Sequence, residues 1–134
     1  MLIEEQIDLL TGNDLAAAMA ETVFGLVPCQ SEIHNPDHPD HQFGNYPCYA
    51  SSGNPTAGQK ADDYSGWPAF GDLIKHMHDT GWWFECDWED EKPWAAFLTG
   101  RDNYGGIRSY GALGDTIPEA ACRAALKAVI SKNK

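Results

Sequence analysis

A chain of 134 residues, 43% apolar and 22% charged, suits one domain around one modest core. Nine Lys and Arg against 20 Asp and Glu leave a formal charge of −11. Most of the surface therefore repels phosphate, which argues against direct nucleic-acid binding and against adhesion to an anionic membrane.

The charge is uneven: −5 over residues 1–27, −4 over 28–66, −5 over 67–115 and +3 over 116–134, with Lys60 the first base. The acidic start MLIEEQIDLL lacks the basic region of a secretory leader. The longest apolar run, Leu15 to Ala20, falls far short of the roughly 20 residues that span a bilayer. These features predict a soluble cytoplasmic protein, whose four cysteines then read as core thiols or metal ligands rather than disulfides.

In chain order, Thr11, Gly12, Asn13 and Asp14 supply capping residues ahead of Leu15, Ala18, Met19, Thr22, Val23 and Leu26 at helical spacing. A first helix over about 12–24 is predicted, ended by Gly25. Residues 28–66, rich in Pro, Gly, Asn, Asp and His, read as an irregular excursion; the two short extended segments Leu26–Gln30 and Tyr46–Ser51 could form a hairpin at its base. Within it Cys29, His34, His38, His41 and Cys48 are five soft or borderline donors. Cys29, His34, His41 and Cys48, with His38 as an alternative ligand, are a candidate tetrahedral zinc site that would pin a loop too polar to build a core. A solvated polar loop with two partly buried thiols is the competing reading.

Ser65 can cap a second helix over 67–79, with Pro68 in its first turn, an apolar stripe of Trp67, Phe70, Leu73, Ile74 and Met77, and a stop at Asp79-Thr80-Gly81. His76 and His78 near its end are accounted for by the helix dipole and do not share a face. Strict alternation then puts Trp82, Phe84, Cys86 and Trp88 on one side of a strand and Trp83, Glu85 and Asp87 on the other. EDEKP is a turn. Two more strands follow over 94–99 and 104–112, joined by the turn 100–103. The last helix opens on the capping box Thr116-Ile117-Pro118-Glu119. Glu119, Arg123 and Lys127 form a ladder read as solvated, while Cys122, Ala125, Leu126 and Val129 face the sheet. The predicted fold is α+β: a three-stranded antiparallel meander packed with helices on one or both faces, in αβα layers. Cys86 and Cys122 should lie buried across the sheet–helix contact.

The acidic run Glu85, Asp87, Glu89, Asp90 and Glu91 sits at a hairpin tip, where water holds carboxylates in their usual role. It reads as a solvated edge that discourages strand pairing, or, with Trp83 and Trp88, as a surface for a basic partner. Trp83 and Trp94 could also stack on a planar ligand, although aromatic residues more often anchor cores and interfaces. No phosphate loop, nucleophile elbow or HExxH helix is present, so an enzyme is not expected. The helix–strand–strand–strand–helix order matches double-stranded RNA-binding domains, but their lysine cluster is replaced here by Ile117, Pro118 and Glu119.

Leu10-Thr11-Gly12-x-Asp14-Leu15, Asp63-Tyr64-Ser65 before the amphipathic helix, the aromatic strand, and the closing run from Gly114 through Leu126 together resemble the phage ABA sandwich family, small tailed-phage and prophage proteins without an assigned activity. The resemblance covers both ends and roughly the last half of the chain; the 28–60 excursion departs from it. It implies an αβα fold and a phage or prophage origin, hence a bacterial host cytoplasm, and supplies no catalytic residue. The function expected is a non-enzymatic accessory protein that binds a host protein as an anti-defence or takeover inhibitor; the alternative is a ligand-binding module or small enzyme using an aromatic pocket for a nucleotide-like molecule.

Overall fold

The computed structural model describes residues 3–28, 48–51, 53, 59–60, 65–101 and 107–132. Its elements run α1 (Glu4–Ile7), α2 (Gly12–Ala18) continued by a π-helical turn (Met19–Val23), β1 (Val27–Pro28), β2 (Cys48–Ala50), β3 (Gln59–Lys60), α3 (Trp67–Asp79), β4 (Trp82–Glu89), β5 (Lys92–Arg101), β6 (Ile107–Leu113) and α4 (Ile117–Lys132).

The alternating stretch folds into the antiparallel meander β4-β5-β6. Directly paired residues share a face, so the register Phe84↔Phe97↔Tyr110 and Cys86↔Ala95↔Ala112 defines one side, and Trp83↔Leu98↔Ser109, Glu85↔Ala96↔Gly111 and Asp87↔Trp94↔Leu113 define the other. The first side meets the helices. Ile7, Leu15, Met19, Val23, Leu73, Met77, Phe97, Ala112, Cys122 and Leu126 form one buried cluster with it, and Phe97 is fully enclosed. Among the described residues every helix packs on this side, so the meander carries helices on one face.

The β4–β5 turn is tighter than the sequence suggested: Glu89 pairs with Lys92, leaving Asp90 and Glu91 as a two-residue loop with φ of 50° and 69°. Positive φ at both positions is the geometry of a type I′ turn, which matches strand twist but favours Asn-Gly. Glu91→Gly should therefore stabilise the fold by about 1 kcal/mol in urea unfolding. At the far end Gly100 and Arg101, expected in a turn, continue β5 across a register shift at Thr99/Arg101.

α3 has the predicted bounds, though its N-cap is Gly66 rather than Ser65. The first helix runs as expected to Val23 but changes to π-helical pitch at Met19, closing on a bond from Phe24 N–H to Met19 O (3.0 Å), with Gly25 beyond it at φ 65°. The opposite side of this helix, through Ala16 and Ala20, holds Tyr49 of the small antiparallel sheet β1-β2-β3. Pairing of Val27 with Ala50 and Pro28 with Tyr49 is the hairpin expected at the base of the excursion; β3, which pairs with β2, was not expected. Tyr49 donates its hydroxyl hydrogen to Glu21 Oε1 at 2.7 Å, and burial followed by that carboxylate pushes its pKa up to about 12.

In α4, Thr116 Oγ1 accepts the Glu119 N–H (3.2 Å), as a capping box requires, and Pro118 is fully buried in the first turn. The ladder on this helix is not solvated. Arg123 is 11% exposed and Lys127 13%. Arg123 donates to Leu10 O through Nε (3.3 Å) and Nη2 (3.0 Å), to Leu113 O through Nη1 (2.9 Å), and pairs with Glu119 (2.8 Å). Lys127 donates to Gly111 O (3.3 Å) and pairs with Asp8 (2.8 Å). The segment after α1 folds back over this face and excludes the water the sequence reading assumed.

Candidate interaction surface

The residues singled out for partner binding all lie on the β4–β5 hairpin. Trp83, Glu85, Asp87 and Glu89 share the face away from the helices, with Trp83 58% exposed. Trp88 belongs to the helix-facing side yet is 65% exposed. Asp90 and Glu91 form the exposed tip. From Glu85 to Glu89 every residue is exposed, whichever way it points.

The reason is a mismatch of length. The chain turns at Gly81 and doubles back, so the start of α3 lies over the middle of β4, where Phe70 meets Phe84 edge-on (centroids 5.7 Å). Beyond Phe84 the strand continues with no helix beneath it among the described residues. This also overturns the expectation for Cys86, which occupies the predicted side but is exposed, while Cys122 is buried as expected. Cys122 donates weakly to Ser65 O (3.7 Å), and burial, assisted by the Glu119 charge, pushes its pKa up to about 12.

Iodoacetamide followed by peptide mapping should modify Cys86 rapidly and Cys122 only on unfolding, since thiolate and access both govern the rate. The raised Cys122 pKa has a further sign: the folded state holds the thiol proton more tightly, so that contribution to stability is present below pH about 9 and is lost as the pH climbs toward 12.

The open face of the meander carries more apolar surface than the sequence reading assigned to it. Leu98, Trp94 and Leu113 join Trp83 there, Leu113 being 41% exposed, and Ala96 lies fully covered among them. The period-two pattern Trp94, Ala96, Leu98 in β5 was the available signal. The Trp94 indole lies close to Gly111, where an added Cβ would come within 2.9 Å of its Nε1. A cleft of about 390 Å³ opens beside β6, lined by Asp8, Glu89, Trp94, Leu113, Arg123 and Lys127 among others. Trp94 lines this cleft, and Trp83 is not among its lining residues. Its two cations are engaged with Glu119, Asp8 and backbone carbonyls.

Of the candidate zinc ligands, Cys29, His34, His38 and His41 lie outside the described residues, and Cys48 is described only as backbone in β2. Among the described residues no cluster of three or more His, Cys, Asp or Glu could hold a metal. His76 is in ring contact with Phe24 (5.4 Å) in the last turn of α3, and His78 is exposed. Among the described residues no helix is long and apolar enough to cross a membrane.

Fold and surface together define an α+β protein with a one-sided helical layer and a protruding acidic hairpin. Comparison with known protein families, curated proteins and solved structures finds no match to this chain.

Proposed function

We propose that this chain is a non-enzymatic phage or prophage accessory protein that uses the β4–β5 hairpin to bind a basic surface on a host protein, acting as an anti-defence or takeover inhibitor in the host cytoplasm. One observation carries the reading: Trp83 and Trp88 stand exposed on opposite sides of a strand whose other exposed positions are Glu85, Cys86, Asp87 and Glu89, three of them carboxylates. Exposed indoles flanked by like charge form the combination in which aromatic anchors supply affinity and the charged rim supplies steering. The likeness of the closing helix to the phage ABA sandwich family supports the phage setting; the step from setting to inhibition is by association.

The test is affinity capture from a bacterial host lysate, followed by association kinetics on the purified partner. Reversing Glu85, Asp87 and Glu89 to Lys should slow association about tenfold or more at low salt and flatten its salt dependence, whereas Trp83→Ala should chiefly speed dissociation. Wild-type kinetics in both variants would place the interface elsewhere. Stabilisation of several degrees by a nucleotide would instead move the function to the cleft beside Trp94.

A further inference from the structure

The two edges of the meander are finished differently. In antiparallel pairing alternate residues direct both backbone groups toward or away from a neighbour. On β6 the residues directed outward include Gly111 and Leu113, and their carbonyls are hydrogen-bonded by Lys127 and Arg123 of α4. Those two carbonyls are taken by side chains of α4. On β4 the parity follows from Trp88, which stands opposite Pro93 and whose N–H is bonded by its own neighbour, Asp87 Oδ1, at 2.8 Å. Pro93 directs its carbonyl to Gly114 N–H on the other side (3.1 Å), so Trp88 and Pro93 exchange no bond. Trp82, Phe84 and Cys86 share the parity of Trp88, so their N–H and C=O groups point away from β5. Among the described residues β4 pairs with β5 alone.

An exposed edge of this length is a template for another strand unless something blunts it. Here the blunting is selective. A second copy of β4 set antiparallel against the first would bring the row Glu85, Asp87, Glu89 against itself, and directly opposed like charges are destabilising. A strand with Lys or Arg at alternate positions would meet that row with opposite charge, while its intervening apolar residues would lie beside Phe84, Cys86 and Trp88.

We propose that β4 is a strand-addition site for an extended, alternately basic and apolar segment of a partner protein. This deepens the function proposed above and rests on it: the hairpin binds by main-chain pairing at Phe84 and Cys86, with the carboxylates reading the partner's cations. The added ladder is made at Phe84 and Cys86, since Trp82 is buried, and ends where Asp87 already caps Trp88.

The test uses the full chain and a fluorescent peptide of about nine alternating Lys and Val residues, long enough to span β4. Cys86→Pro removes an outward N–H, a position at which an edge strand tolerates proline, and Cys86→Ala is its control. The peptide should bind the wild type and the alanine variant alike and the proline variant about tenfold more weakly. Hydrogen exchange on the wild type gives a second readout that does not depend on the variant folding: the Phe84 and Cys86 amides should slow when the peptide binds. Equal binding by the proline variant, unchanged exchange at those amides, or no binding of the peptide would each overturn strand addition. If the proline variant binds normally while the Glu85/Asp87/Glu89 reversal does not, strand addition fails and the acidic interaction surface stands. If neither change alters capture of the partner, both fail.

Discussion

Replacing Arg123 with alanine should lower the unfolding free energy by about 3 kcal/mol, because the guanidinium donates three charge-assisted bonds and hydrogen bonds to charged groups are worth roughly 1.5–3 kcal/mol each without adding fully. Two carbonyls, Leu10 O and Leu113 O, would lose their donors, and Glu119, 22% exposed, would lose its partner. The loss extends beyond one helix, since the same side chain ties the segment after α1 to α4 and to the outer edge of β6. Urea unfolding of Arg123→Ala against wild type measures it. Lys75→Ala is the matched control: Lys75 and Asp79 also form an i,i+4 pair, at 2.7 Å, but their side chains are 76% and 57% exposed. Solvent screening leaves such pairs nearly neutral, so the midpoint should not move. A loss of under 1 kcal/mol at Arg123 would mean that water replaces the clamp.

Gly114→Ala should also cost about 3 kcal/mol, the upper end of what inserting a methyl group into a filled space costs. The added Cβ would sit 2.6 Å from Ala120 N and 3.1 Å from both Ala120 Cα and Glu119 C. These are main-chain atoms in the first turn of α4, where Pro118 and Ala120 are fully buried, so no side chain can swing aside. The strand-to-helix connection would have to move as a unit. Gly71→Ala provides the opposite sign. It lies exposed within α3 with nothing within 4 Å of an added Cβ, and relief of the glycine's backbone entropy should stabilise the protein by about 1 kcal/mol. Urea midpoints for the two variants should therefore fall on opposite sides of wild type.

What the sequence determined by itself is what local periodicity encodes. The stripe of Phe70, Leu73, Ile74 and Met77 marks the buried side of α3, although Trp67, expected in the same stripe, is 64% exposed, and alternation places Trp82 and Phe84 on one side of β4 and Trp83 and Glu85 on the other, because a 3.6-residue or two-residue repeat exposes one apolar side whatever covers it. The grouping of the proposed interaction residues on one hairpin was legible for the same reason. The tertiary structure decided which of those sides is covered. Glu119, Arg123 and Lys127 have helical spacing in any setting, and only the return of residues 8–10 across α4 turns them from a solvated ladder into a clamp. Cys86 has the parity of Phe84, but α3 meets β4 at Phe84 through Phe70, and Cys86 beyond it is exposed. The difference between β6, two of whose outward carbonyls are bonded by α4, and the edge of β4 has the same origin. Edge bonding depends on which helix lies within a side chain's reach, a long-range distance that no pattern within either strand records.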